Sequence, residues 1–377
     1  MQFTRRSFTL SLASLCVAAC AGPTVSTGSA TALPNDLQPV PNASYDAWVA
    51  AFQQRARAAG ISDATLARGF RGTGYLPGVI KRDRNQTEFK RSLEDYLSIA
   101  VSDERVAKGR AALSRHAAVL RALETSYGVD AEIITAIWGL ESFYGDRRGT
   151  VPVVSATSTL AYDGRRGVFF EKQLIAALKI LQTGDTTPDK LVGSWAGAMG
   201  HTQFIPTSYQ AFAVDFTGDG RRDIWSDDPS DALASAAAYL SKNGWVRGAP
   251  WGREVTDGTS TGTLQPQPGG PRFAVGPNFR VIKRYNNSDA YAIGVGHLAD
   301  RIGGAGPLQT PFPPDANGLT KNDRIALQRG LTSRGFDTQG ADGVIGPNTE
   351  SAIRAYQSSV GLAVTGTPSQ ELLNGLR

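Results

Sequence analysis

The sequence predicts a mainly helical protein (α+β), with a large body carrying a minor sheet component and a compact three-helix unit after it. Two observations carry this. Apolar residues recur at helical spacing in long stretches between 44 and 242, most of them closed by a glycine. Two Gly/Pro-rich runs then break the pattern: 248–272 reads as an insert of turns and short strands, and 303–318 separates the body from the end of the chain. With 377 residues, 41% hydrophobic and 19% charged, the chain has the length and composition of a folded protein of two or more domains.

Taken in order, residues 1–20, "MQFTRRSFTLSLASLCVAAC", read as an export signal. Arg5 and Arg6 precede a short apolar run, Phe8 to Ala19, too short to span a bilayer. "TRRSF" resembles the twin-arginine export motif, a receptor-read address. "VAAC" resembles a lipobox, in which Cys20 would be acylated, become the first mature residue and anchor a periplasmic protein at the outer membrane. Ordinary cleavage after Ala21 also fits the small-residue rule, but the lipidated reading accounts for a cysteine at that spot. Cys16 and Cys20 are the two cysteines of the chain, so the exported body relies on its core and not on disulfides. Loss of Arg5 and Arg6 takes the net charge from +5 to about +3, a mild basic balance compatible with an anionic polymer.

Residues 21–44, small, polar and proline-rich, read as a flexible tether. The body follows over 45–302. "YDAWVAAFQQRARAAG" is a helix stopping at Gly60, and "SDERVAKGRAALSRHAAVLRALETSYG" is one long helix or a pair. Asp130 caps the next segment, with Glu132 in its first turn where an acid suits the helix dipole. "FFEKQLIAALKILQTG" and "PSDALASAAAYLSKNG" are further helices. After a linker at 303–315, the unit at 316–377 has Thr320 capping its first helix and Pro347 opening its second. Thr367-Pro368-Ser369-Gln370 reads as a capping box for the third.

The chemistry concentrates at "AIWGLESFYG" (136–145). On a helix over 130–142, Ile134, Ile137 and Trp138 share a face with Glu141, so the acid is carried inward with apolar side chains. Desolvation there raises a carboxyl pKa, and a glutamic acid held against tryptophan can donate a proton to a leaving group. The alternative is a helix-end glutamate paired with Arg147 or Arg148.

The segment "GLESFYG" is followed by "GAMGHTQFIPTSYQAFAVDFTGDGRRDIW" (197–225) and "VIKRYNNSDAYAIGVGHLADRI" (281–302). Together these resemble the lytic murein transglycosylases of the membrane-bound B type over 45–302. The resemblance implies a lysozyme-like fold with a helical subdomain and a small β-rich one containing the 248–272 insert. It implies Glu141 as the single catalytic acid, cleaving the MurNAc–GlcNAc β-1,4 bond of peptidoglycan without water to leave 1,6-anhydro ends, with no cofactor required for catalysis. It carries Gln203 over as a substrate contact, and Tyr285, Asn286 and Tyr291 as groups lining the glycan cleft. Gly197 and Gly200 would let the backbone approach a sugar. His201 is read as a groove-lining polar residue with no proton-transfer role.

"DFTGDGRRDIW" begins like a calcium loop, with Asp215, Thr217 and Asp219 at alternate positions before Gly220. The usual closing glutamate is replaced by Ser226; the resemblance offers Asp231 as closing ligand, two residues late. The candidate ligand set is therefore Asp215, Thr217, Asp219, Arg221 and Asp231 for a structural calcium. Asp223 pairing with Arg221 or Arg222 is the metal-free alternative.

"DGVIGPNTESAIRAYQSSVGLAVTG" (342–366) resembles the small peptidoglycan-binding domain of wall enzymes, which would tether the enzyme to glycan strands. The competing classes are a hydrolytic muramidase and a non-catalytic wall-binding lipoprotein. His116, His201 and His297 lack metalloprotease spacing, "GSWAG" (193–197) is no nucleophile elbow, and no basic-aromatic patch points to nucleic acid.

Overall fold

The computed structural model describes residues 33–85, 91–258 and 262–377. The leader, with Arg5, Arg6 and Cys20, lies outside the described residues. Among the described residues no helix is long and apolar enough to cross a membrane.

The chain opens with α1 (Ala43–Ala58), α2 (Asp63–Gly69) and α3 (Pro77–Arg84), then α4 (Leu93–Ala100), α5 (Asp103–Arg115), α6 (Ala117–Tyr127) and α7 (Ala131–Ser142). Strand β1 (Val151–Pro152) leads into α8 (Val153–Asp163) and α9 (Gly167–Thr183), and β2 (Val192–Gly193) pairs back on β1. Then come α10 (Pro206–Phe212), α11 (Ser230–Lys242), β3 (Gly252–Val255), β4 (Arg272–Val275), α12 (Pro277–Tyr285) and α13 (Asp289–Ile302). The end of the chain holds α14 (Lys321–Ser333), α15 (Pro347–Ser359) and α16 (Gln370–Gly375). Strands β3 and β4 form an antiparallel pair with Arg253 opposite Ala274.

Helix α7 is the axis of the body. It packs against α5, α6, α11 and α13, and all of Ala131–Ser142 is buried except Glu132 and Leu140. Such a helix is stabilised by tertiary burial on every side, which its nearly unbroken apolar run requires. One core cluster joins Ile134, Ile137 and Trp138 to Leu233, Ile282, Ile293 and Leu298. A second, built on Phe52, Leu174, Leu178 and Tyr209, fills the α1, α2 and α9 side. The last three helices close around their own core of Leu327, Leu331, Ile353 and Leu373.

Of the two readings of 103–127, the pair of helices holds, with the break at His116. Other expectations are corrected. Asp130 occupies the N-cap position of α7, but its side chain makes no capping bond. The last capping residue is Ser369, whose hydroxyl accepts from the Leu372 N–H, two residues later than the box placed it. The described end of the tether is not free: Leu37 is buried, and Asp36 pairs with Arg82 at 2.5 Å. The linker is also fastened, because the Glu254 carboxylate accepts from the Gln309 and Thr310 N–H groups at 2.8 Å each. Leu308 and Phe312 pack on the main core beside it.

Candidate active site

Glu141 sits one residue before the end of α7 and is 6% exposed. The helix stops because the chain turns left-handed at Phe143 (φ 53°), Tyr144 (φ 60°) and Gly145 (φ 92°). Two non-glycine residues in that region are strained, a condition that persists only where the surroundings impose it. Here the Tyr144 hydroxyl donates to the Arg105 carbonyl at 2.8 Å, and Arg147 lies over the Phe143 ring. Gly145 has no alternative, since a Cβ there would lie 2.6 Å from His201 Nδ1.

The partner brought to the acid comes from the far end of the body. Tyr291, in the first turn of α13, donates its hydroxyl to Glu141 Oε1 at 2.6 Å. Ser288 caps that helix, accepting from the Tyr291 N–H, and so fixes where the ring emerges. Tyr285, at the end of α12, lies parallel to Tyr291 with ring centres 6.5 Å apart and 12° between planes. Its hydroxyl donates to the Thr202 carbonyl at 2.7 Å. Burial, and then the nearby Glu141 charge, push both phenols well above their ordinary pKa, so both remain donors. Tyr291 is buried, Tyr285 only partly, and Asn286 is buried beside it.

Gln203 also takes a left-handed backbone (φ 50°), and its amide nitrogen donates to the Arg148 carbonyl at 3.0 Å and the Gly200 carbonyl at 2.8 Å. Gly200 is glycine for a reason other than sugar approach: a Cβ would meet the Ile224 carbonyl oxygen at 2.2 Å. At Gly197 the same atom would meet the Thr157 methyl at 2.8 Å. Both glycines serve packing within the protein.

His201 is not a groove residue. It is 3% exposed, with Nδ1 accepting from Trp138 Nε1 at 3.0 Å and Nε2 at 2.7 Å from the Ser226 carbonyl. Trp138 therefore gives its N–H to His201, and the aromatic side chain hydrogen-bonded to the acid is Tyr291. Arg148 is engaged with Asp227 (2.8 Å) and with the carbonyls of Trp225 and Ser226. Asp146, the nearest acid along the chain, pairs with Lys108. Sequence reasoning missed Ser142, whose hydroxyl donates to the His201 carbonyl at 2.6 Å and accepts from the Gly145 N–H at 3.0 Å.

In the acidic loop, two of the acids at alternate positions, Asp215 and Asp219, meet Asp231. Oxygens of Asp215, Asp219 and Asp231 all lie within 4.8 Å of one another. Asp231 reaches in from the start of α11; one oxygen accepts from the Phe216 and Thr217 N–H groups, the other from that of Asp223. Burial nevertheless raises its pKa, and the Asp215 charge adds to this, which is the electrostatic setting a cation would relieve. Asp215 accepts from the Gly218 and Gly220 N–H groups, and Asp219 from that of Arg221. Oxygen donors of this kind fit calcium. Asp223 is not an arginine partner: it accepts from the Trp225 and Ser226 N–H groups, while Arg222 pairs with Asp185 at 2.7 Å.

Comparison with known proteins sets this geometry in a family. The transglycosylase SLT domain family matches residues 44–265 and 257–300, and a peptidoglycan binding domain matches 320–376. Membrane-bound lytic murein transglycosylase B of Escherichia coli is 35% identical over 210 residues; the match spans 47% of this chain and 58% of that protein. Pseudomonas aeruginosa SltB3, solved in complex with NAG-anhNAM-pentapeptide, is 43% identical with a TM-score of 0.69, covering 89% of this chain and all of that one. The Escherichia coli lytic transglycosylase Slt35, solved in complex with calcium, is 26% identical with a TM-score of 0.58, over 71% of this chain and 97% of that one. On the extent of these matches, the chain belongs to the transglycosylase SLT domain family and ends in a peptidoglycan-binding domain.

Proposed function

We propose that this protein is a peptidoglycan lytic transglycosylase in which Glu141 is the sole acid and base. The observation that carries the reading is the buried Glu141 carboxyl hydrogen-bonded by Tyr291. Burial opposes ionisation and favours a proton donor, while the Tyr291 hydroxyl stabilises the carboxylate left after donation. One group is thus suited to both halves of the reaction.

Glu141 protonates the bridging oxygen of the MurNAc–GlcNAc β-1,4 bond, and the bond to C1 of muramic acid breaks. The N-acetyl group of the same sugar stabilises the positive carbon. Its C6 hydroxyl then attacks C1, and Glu141 takes back the hydroxyl proton as the 1,6-anhydro ring closes. No water is consumed, so the second carboxylate of ordinary glycosidases has no task here. Tyr285 and Asn286 line the cleft beside the acid. With its amide nitrogen held by the loop, Gln203 meets the sugar through its amide oxygen.

Asp215, Thr217, Asp219, Arg221 and Asp231 would hold a structural calcium that takes no part in the chemistry. The C-terminal unit binds glycan strands and keeps the enzyme on the wall. Export through a twin-arginine-like signal and acylation of Cys20 place the protein at the periplasmic face of the outer membrane.

Mass analysis of purified cell wall digested by the soluble body tests the reaction. Products one water lighter than hydrolysed muropeptides support it. Fully hydrated products make the protein a muramidase, and no products leave a wall-binding lipoprotein.

A further inference from the structure

Four hydrogen bonds converge on His201 inside the protein. Its main-chain N–H donates to the Ile224 carbonyl at 3.1 Å, and its carbonyl accepts from Ser142 at 2.6 Å. Of its ring nitrogens, Nδ1 faces the Trp138 indole N–H and Nε2 faces the Ser226 carbonyl. An indole nitrogen only donates and a carbonyl only accepts. Arg148 Nη1, also a donor, lies 3.3 Å from Nε2. The indole donor at Nδ1 and the closer Ser226 carbonyl at 2.7 Å nevertheless together assign a neutral ring with the proton on Nε2, leaving Arg148 as a neighbouring charge.

The two ends of this clamp belong to different parts of the site. Trp138 and Ser142 stand three residues before and one after Glu141 on α7. Ser226 belongs to the acidic loop: Asp223 holds its N–H at 3.0 Å, and Asp231 holds that of Asp223 at 2.9 Å. Asp231 in turn ties down Phe216 and Thr217 beside Asp215. A series of hydrogen bonds thus runs from the acidic cluster through the His201 imidazole to Trp138, while the His201 main-chain carbonyl holds Ser142 on the other side of the acid.

We propose that His201 is a positioning residue for Glu141, a rigid strut that fixes the end of α7 against the acidic loop and carries the order of that loop to the acid. The inference rests on Glu141 being the catalytic acid. His201 itself transfers no proton, because both its nitrogens are engaged in the interior. A misplacement of the acid by a fraction of an ångström is enough to slow proton transfer.

The charged groups around the ring act with the clamp. Arg148 Nη1 lies 3.3 Å from Nε2; Asp227 and Asp223 face it from the loop, and His116 packs edge-on against Trp138. Burial holds the His201 pKa below its ordinary value, with the Ser226 carbonyl opposing and Arg148 adding to the depression. A proton on Nδ1 would point at the indole N–H and break the clamp.

The test combines spectroscopy with kinetics. Nitrogen-15 NMR of the imidazoles in the intact protein is expected to show one histidine locked with its proton on Nε2 and exchanging slowly, and Asp231→Asn is expected to release it. A ring that averages its tautomers in the parent, or stays locked in Asp231→Asn, overturns the inference without touching the proposed reaction. In turnover, His201→Leu is expected to lower kcat about tenfold with KM within about twofold of the parent. His201→Gln, which keeps a donor and an acceptor, recovers most of the rate. The double variant His201→Leu/Asp231→Asn loses no more than the worse single one, because the loop acts through the ring. Losses that multiply in the double variant, or a raised KM with unchanged kcat, contradict the proposal.

Discussion

The Tyr291 hydroxyl donates a 2.6 Å hydrogen bond to Glu141, joining residues 150 apart in sequence. It is a charge-assisted bond when the acid is ionised and is roughly twice as strong as a neutral one. Tyr291→Phe removes it while keeping the ring that stacks on Tyr285. The carboxylate then loses a stabilising donor, so the pKa of Glu141 rises and the alkaline limb of the kcat profile moves to higher pH. The expected cost in kcat is about tenfold to a hundredfold, from a bond to a charged group of about 1.5–3 kcal/mol. A pH–rate profile of the two proteins checks both the size and the direction.

Calcium and the acidic loop can be tested without turnover. Millimolar calcium is expected to raise the melting temperature, as a ligand bound only to the native state must, and a chelator to reverse the gain. Asp219 is exposed and outside the tight Asp231 network, so Asp219→Asn removes the calcium-dependent increment and leaves the apo melting temperature within a few degrees. Differential scanning calorimetry with and without calcium measures this.

Arg324 is a buried joint between the C-terminal unit and the body. It is 3% exposed, with Glu94 at 2.6 Å, Asp95 at 3.2 Å and Asp315 at 3.3 Å, and it also holds the Gly343 and Leu319 carbonyls. Removing one member of a buried ion pair costs about 3–5 kcal/mol. Arg324→Ala is therefore expected to lower stability by about that amount and to expose 303–318 to limited proteolysis. Glu94→Gln, which keeps an acceptor, costs less. Digestion rates at that segment discriminate the two variants.

His297 sets an acid limit on stability. Burial, with Arg301 adding its charge, depresses its pKa from 6.5 to about 4. The folded state thus resists a proton that the unfolded chain accepts. Stability is intact above the ordinary imidazole pKa and declines as pH falls from about 6.5 to about 4, by about 3 kcal/mol in all. Replacing His297 with leucine flattens this segment of the profile. Urea unfolding at a series of pH values provides the check.

The legible part of the site was the part written in local pattern. The apolar run before Glu141 defines a helix buried on nearly every side, and the acid could only follow it inward. The Asp215 to Gly220 spacing describes a loop geometry directly, and Asp231 joins it because α11 starts where its first turn can reach back. What escaped was long-range or aperiodic. Nothing local pairs Arg324 with Glu94, residues 230 apart. A single histidine between Gly200 and Thr202 has no periodic signal, so its burial, and with it the true partner of Trp138, emerged only in three dimensions. Gly/Pro content marked 303–315 as a linker, but composition does not register the Glu254 carboxylate that fastens it.

The most direct test of the account is digestion of purified peptidoglycan in oxygen-18 water by the parent and by Glu141→Gln, read by mass spectrometry. The parent is expected to give 1,6-anhydro products with no label at the new end, and the variant a rate lower by about two to four orders of magnitude. Oxygen-18 at the reducing ends, or a variant that cleaves as fast as the parent, would contradict it.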